Sequence, residues 1–223
     1  MNVPTWRNRA ITASNIRVIK ASGALTNAVF FVSCPSLPGI CTLLLRVYGP
    51  SSGSLISRPR ELQILHILSS EYKIGPLIYG TFDNGRVEQH FDSVALTPAD
   101  LRNPEISRWI ATRMAELHQV DVDDVEGPSP PSGHEDSVKK NVETWLPHAR
   151  EVLPLLTAQK PSSRAFDIDA FADLWEKYMQ WISAVEADKG VSPRVLAHND
   201  AQYGNLLRMN PHPHNPKGHR QVI

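Results

Sequence analysis

No run in this chain is apolar for long enough to span a bilayer, and the opening residues 1–12 carry arginines without the apolar core of a secretory signal. Surplus charge is missing too. The 23 basic residues balance 23 acidic ones, and no basic cluster marks a surface for nucleic acid or anionic lipid. The expected partner is therefore a small molecule, with no nucleic acid and no membrane span, and the expected location is cytoplasmic. Cysteine is scarce: Cys34 and Cys41 flank residues 35–40, which read as a hairpin turn. The two are near enough in sequence for a bridge, yet in a reducing compartment free thiols are the expectation. At 223 residues the chain can bury a sizeable core, as one large domain or two lobes.

What is present is best read outward from Leu196-Ala197-His198-Asn199-Asp200-Ala201-Gln202-Tyr203-Gly204-Asn205-Leu206-Leu207. An apolar lead-in, a His-x-Asp, an Asn five residues after the Asp and two leucines suit a catalytic loop between two buried elements. In phosphoryl transfer a carboxylate accepts the hydroxyl proton of the attacking alcohol, and a nearby carboxamide oxygen holds a magnesium ion that bridges the ATP phosphates. Asp200 and Asn205 have the residue types and the spacing for these two tasks. His198 is expected to brace the loop through hydrogen bonds to neighbouring backbone. The alternative is a polar turn that contains His, Asp and Asn by accident.

Upstream, residues 16–19 alternate weakly, and Ala21-Ser22-Gly23-Ala24-Leu25-Thr26-Asn27 precedes an apolar strand at 28–32. This small-residue turn is either an ordinary hairpin connection or a loop whose amides cradle phosphate. The strand at 41–48 carries a single cation, Arg46. It is either aimed into a cleft or an edge residue reaching water. Leucines recur at helical spacing over 61–72, with Glu61 in the first turn, where the helix dipole favours an acid and where pairing with Arg46 is within reach. Two strands joined by an Asn-Gly turn follow, at 77–82 and 87–91. The chain then becomes helical. Asn103 caps a helix with Pro104 at its first position. A second begins near Ser137, with Pro147 and Pro154 expected to break or kink it. A third opens at Asp167 or Asp169 and carries an aromatic stripe expected to lie in the core. His212, His214 and His219 in the tail read as a solvated loop or, alternatively, metal ligands, and 221–223 as the start of a buried strand.

The combination resembles the eukaryotic-protein-kinase-like bilobal fold, an α+β class with an antiparallel β-rich N-lobe holding one main helix and an incomplete helical C-lobe. Within it, the residues resemble the choline/ethanolamine kinase family, its fungal members especially. The resemblance is carried by Ser22-Gly23-Ala24-Leu25-Thr26-Asn27, Leu44-Leu45-Arg46-Val47-Tyr48-Gly49, Ile74-Gly75-Pro76-Leu77-Ile78-Tyr79-Gly80, Gly85-Arg86-Val87-Glu88-Gln89 and His198-Asn199-Asp200. It implies lobes at 1–91 and 92–223, the first binding nucleotide and the second carrying the catalytic loop. It further implies transfer of the γ-phosphate of ATP to the hydroxyl of choline or ethanolamine in phospholipid head-group synthesis, with ATP and Mg2+ as cofactors. Arg46 would contact the phosphates, Gly23, Ala24, Leu25, Thr26 and Asn27 would cover them, and backbone around Gln89 and Phe91 would grip adenine. Asp200 would act on the alcohol with Gln202 nearby, and Asn205 would bind magnesium. Glu61 transfers less directly, because Ser57-Arg58-Pro59-Arg60-Glu61 stands where fungal relatives have an acidic run. A homodimer is one assembly open to such a protein.

Members of that family continue from the last strand into Asp-Phe-Glu, a magnesium motif, and then into the region that encloses the alcohol. The present sequence reads as cut short before it, and on that reading the chain as it stands is expected to be inactive or nearly so. Two alternatives remain: another small-molecule kinase of the same fold, of the aminoglycoside-phosphotransferase type, and a non-catalytic chain that binds nucleotide or associates with an intact kinase.

Overall fold

A computed structural model describes residues 3–21, 27–49, 57–128, 137–159 and 166–211. Gly23, Ala24, Leu25 and Thr26 of the phosphate-turn expectation lie outside the described residues, as do His212, His214, His219 and the strand expected at 221–223. By its own contacts the chain divides into two compact units, residues 1–125 with 195–223, and residues 126–194.

The first unit is built on an antiparallel sheet of five strands in the order β1-β2-β3-β5-β4. These are β1 (Arg17–Lys20), β2 (Asn27–Ser33), β3 (Leu43–Tyr48), β4 (Ile78–Phe82) and β5 (Gly85–Gln89). The strands form because β-branched and aromatic residues are concentrated in them, as in Val29-Phe30-Phe31-Val32, and turns bring neighbours back. β4 and β5 close through Asp83-Asn84, and Gly85 allows the two to meet: a Cβ there would lie 2.4 Å from the Arg46 carbonyl oxygen and 2.3 Å from the Phe82 ring. Before the sheet, the Trp6 indole donates to the Cys41 carbonyl at 2.9 Å and Val3 is buried. Both cysteines are free thiols.

Helix α1 (Arg58–Ser70) joins β3 to β4. It starts three residues before the leucine pattern suggests, because Arg58 and Pro59 fill a first turn that carries no apolar signal; no side chain of Ser57 caps it. Helix α2 (Pro104–His118) opens as its sequence indicates, with the Asn103 side chain accepting from the amides of Glu105 at 2.9 Å and Ile106 at 3.3 Å. The short α3 (Val122–Glu126) follows. β6 (Ser93–Ala95) pairs with β7 (Leu207–Met209) in a separate small antiparallel sheet.

Two apolar clusters decide where the His-x-Asp loop sits. Leu196 packs against Leu117, Val120 and Val125, together with Ile64, Ile67 and Leu68 of α1. Leu206, at 2% exposure, packs with Leu96 and Ile106, and Trp109, Ile110 and Met114 lie against them. The polar segment 197–205 is exposed throughout and is thus held at one end by the partly buried Leu196 and at the other by the buried Leu206.

The second unit holds α4 (Ser137–Gln159) and α5 (Ile168–Lys189). Here the structure corrects two expectations. Pro147 and Pro154, expected to break or kink the chain, do not break α4, which runs through both. On a largely exposed helix, water can satisfy the carbonyls a proline leaves unbonded, so the loss is tolerated. The α5 stripe, expected in the core, is largely exposed within its unit: Phe171, Leu174, Tyr178 and Trp181 all face solvent, with Trp175, Tyr178 and Trp181 stacked in series at 5.7 and 5.9 Å. One helical neighbour in the unit cannot cover a full aromatic face, and helical period reports only that an apolar face exists. Asp167 caps α5, accepting from Asp169 and Ala170, and Gly190 closes it at φ 86°.

Candidate active site

The loop is folded by its own side chains. Asn199 takes φ 62°, a left-handed conformation that asparagine tolerates better than most residues, and turns the chain between His198 and Asp200. The Asp200 amide then donates to His198 Nδ1 at 3.2 Å, so the imidazole braces the backbone of the residue that carries the carboxylate. Gln202 Oε1 accepts from the Gly204 amide at 3.3 Å and opens a short 3₁₀ turn, 203–205. That turn brings Asn205 back onto Asp200, where Nδ2 donates to the backbone oxygen at 3.0 Å and to the carboxylate Oδ2 at 2.7 Å.

This arrangement has a chemical consequence. An amide that spends its nitrogen on a carboxylate turns its oxygen the other way, so Asn205 Oδ1 becomes the atom offered to a cation. Magnesium takes few protein oxygens and completes its shell with phosphate and water, which suits a carboxamide oxygen beside a carboxylate. The exposed Asp200 carboxylate keeps acceptor capacity for an alcohol hydroxyl.

The second group of charges lies on one face of the sheet. Arg46 on β3 stands directly opposite Arg86 on β5. Glu88, at 2% exposure, separates them: Oε1 accepts from Arg46 Nη2 at 2.9 Å and Nε at 3.3 Å, and Oε2 from Arg86 Nε at 2.7 Å. Arg86 Nη1 continues to Glu61 Oε1 at 3.0 Å and to the Tyr48 hydroxyl at 3.1 Å. Glu61 Oε2 also accepts from Arg58, whose guanidinium lies 4.2 Å over the Tyr48 ring and reaches Asn27 Oδ1 at 3.2 Å. Burial pushes the Glu61 carboxyl up, but the hydrogen bonds and charges of Arg58 and Arg86 outweigh it and hold it below the ordinary carboxylate value. Burial disfavours the Arg86 charge, and the neighbouring Glu88 more than reverses this.

Arg46 therefore pairs with Glu88, while Glu61 pairs with Arg58 and Arg86. Sequence reasoning offered Glu61 as the partner of Arg46 and assigned no role to Arg86 and Glu88. Their signal was present: a cation and an acid two apart on a strand must share a face, and antiparallel pairing sets that face beside Arg46. Around the expected adenine-binding segment, the Gln89 amide donates to the Leu77 carbonyl at 2.8 Å and the Phe91 carbonyl accepts from Ser93 Oγ at 3.1 Å. His90 between them meets Phe31 edge-on at 5.1 Å, and burial lowers its pKa against the opposing charge of Asp92. Asp200, Gln202 and Asn205 thus converge on one loop, and Arg46 and Glu61 belong to one charge network; Gln89 and Phe91 flank the crossing from β5 to β6. All lie in the first compact unit.

The profile of the choline/ethanolamine kinases matches residues 18–217. The chain belongs to the choline/ethanolamine kinase family. Within that family it is similar to the choline kinase of Saccharomyces cerevisiae, 36% identical over 93% of this chain and 36% of that protein. The choline kinase of Schizosaccharomyces pombe is 33% identical over 93% and 45%. Human choline/ethanolamine kinase is 30% identical over 91% and 48%. The chain accordingly spans about half, or less, of the length of these curated relatives. Among solved structures, choline kinase from Cryptosporidium parvum matches with TM-score 0.67 at 26% identity, covering 94% of this chain and 59% of that one. Plasmodium vivax ethanolamine kinase shares the fold with TM-score 0.67 at 23% identity, over 87% and 52%. The α+β architecture is the protein-kinase-like fold of the choline/ethanolamine kinases.

Proposed function

We propose that this chain supplies the nucleotide-binding lobe, 1–91, and the catalytic loop, within 92–223, of a kinase that phosphorylates choline or ethanolamine. The observation that carries the reading is the Asn205 amide on the Asp200 carboxylate at 2.7 Å, which sets a proton acceptor and a cation ligand side by side. In the reaction the Asp200 carboxylate accepts the alcohol proton as the alcohol oxygen bonds to the γ-phosphorus. The bond from that phosphorus to the β,γ-bridging oxygen breaks, and ADP leaves. Gln202 orders the turn that carries Asn205. Arg46 offers its guanidinium to phosphate oxygens with Glu88 behind it, the sequence segment Gly23, Ala24, Leu25, Thr26 and Asn27 is assigned to the same phosphates by family resemblance alone, and backbone near Gln89 and Phe91 takes the adenine. Magnesium, held through Asn205, supplies charge neutralisation along the phosphates.

The alcohol is choline or ethanolamine, the two substrates named among the similar proteins. A cytoplasmic location and a homodimer belong to the same proposal. No helix among the described residues is long and apolar enough to cross a membrane, which agrees with chemistry on a water-soluble alcohol. The test is MgATP-dependent formation of phosphocholine by the chain extended through the region that follows in its relatives, with and without Asp200→Ala. The substitution is expected to cut the rate at least ~10²-fold, as for other positioned general bases; equal product from the two proteins contradicts the proposal.

A further inference from the structure

The charges around Arg46 form a connected series with a direction. Arg58, Glu61, Arg86, Glu88 and Arg46 alternate in sign, each joined to the next by a hydrogen-bonded ion pair. The Arg58 and Glu61 side chains on α1 are 15% and 26% exposed, Arg86 and Glu88 5% and 3%, and Arg46 27%. Arg86 and Glu88 are therefore out of water, while Glu61 and Arg46 on either side of them are partly open to it.

Buried ions are costly unless each is matched and its remaining hydrogen-bonding positions are filled, and removal of one partner leaves a charge that nothing compensates. The strand register sharpens the requirement, because Arg46 and Arg86 are direct cross-strand neighbours on one face and like charges in that position repel. Only a carboxylate between them makes the arrangement tenable. Glu88 fills that place with one oxygen for each guanidinium. Arg86 in turn has a planar fork, and it uses one nitrogen toward Glu88 and another toward Glu61 and Tyr48. Glu61 belongs to α1, so the far end of the series rides on the helix.

We infer that α1 governs Arg46 through Arg86 and Glu88, which act as positioning residues for its guanidinium, rather than through a direct Glu61–Arg46 pair. A displacement of α1 that withdraws Glu61 leaves Arg86 half-matched and draws on Glu88, and Arg46 loses the contact that fixes its direction. This rests on the reading of Arg46 as a phosphate contact, and the experiment separates the two ideas.

MgATP is titrated into the chain and into Glu61→Gln, each with Arg86 and with Arg86→Lys, with circular dichroism confirming that each variant is folded. Lysine keeps the charge but replaces the planar fork, whose separate nitrogens reach Glu88 and Glu61, with one flexible ammonium that must divide its donors between them. Glu61→Gln is expected to weaken MgATP binding about fivefold when Arg86 is present and less than about twofold with Arg86→Lys, within the range for charges in one network. The same loss in both backgrounds, or none in either, overturns the relay. A chain that binds no MgATP removes the phosphate reading of Arg46, and thermal unfolding of the nucleotide-free protein then decides the relay. A non-additive shift of about 2 °C or more between Glu61→Gln and Arg46→Met, abolished by Arg86→Lys, supports it. Additive shifts, or a coupling that survives Arg86→Lys, overturn it.

Discussion

The proposed function gives Asn205 two tasks: its Nδ2 holds the Asp200 carboxylate, and its Oδ1 is the atom proposed for the cation. Asn205→Asp restores an oxygen ligand but sets two carboxylates together, whereas Asn205→Ala removes both functions. In a magnesium titration at fixed ATP, Asn205→Ala is expected to raise the half-saturating concentration ~10-fold or more, the scale on which outer partners of metal sites act; an unchanged midpoint contradicts the assignment. Glu61 makes a pH-dependent prediction. Its folded pKa lies below the ordinary 4.5, so the unfolded chain binds its proton first as pH falls. The stability it contributes is complete above pH 4.5 and is lost as pH drops through the lower folded value. The thermal stability difference between wild type and Glu61→Gln should therefore be constant near neutrality and shrink below that pH; a difference that grows on acidification would contradict the sign. At this scale the sequence placed Asp200 and Asn205 in one loop, where their side chains meet, because residue type and spacing within a loop are local properties. It did not disclose that Glu88 rather than Glu61 takes Arg46, because that choice depends on strand register and depth, which need the neighbouring strand.

Among the elements, β5 is the most constrained. Gly85 has no room for a side chain: the Arg46 carbonyl is backbone and cannot rotate aside, although the Phe82 ring can. Gly85→Ala should lower the unfolding midpoint by several degrees, at about 1–3 kcal/mol for overpacking a strand turn, and should weaken MgATP binding because it displaces the strand pair that carries Arg46. A variant as stable as wild type would show that the strands can part without cost. Helix α2 gives a milder case, with Asn103→Ala expected to cost about 1 kcal/mol through two lost cap bonds. Strands and caps were legible because the concentration of β-branched and aromatic residues, the Asn-Gly turn and the Asn103-Pro104 pair are themselves the physical cause of the structure. The start of α1 and the continuity of α4 were not, since Arg58 lacks an apolar signature and a proline's cost depends on whether water can reach the freed carbonyl. The α5 stripe shows the limit of periodicity: it located the helix and its apolar face but not what stands against that face.

At the scale of the molecule, the loop is placed by packing at a distance from its chemistry. Leu196 and Leu206 enter different clusters, one joining α1 to the end of α2 and the other built on the earlier turns of α2. Leu206→Ala should cost about 2–5 kcal/mol as a fully buried truncation, and it should loosen the end of the loop nearest Asn205, so that magnesium dependence worsens along with stability. Relatives in two yeasts and in humans match this chain across nearly its whole length, which ties the sequence pattern around Asp200 and the sheet carrying Arg46 to one family. The central claim is that Arg46 and Asn205 serve one magnesium nucleotide. Calorimetric titration of the chain with ATP, with and without magnesium, tests it most directly. The account predicts magnesium-dependent binding that Arg46→Met weakens at least ~10-fold, as for loss of a charge-assisted phosphate contact, and that needs ~10-fold more magnesium in Asn205→Ala. Binding indifferent to both substitutions, or no binding at all, would contradict it.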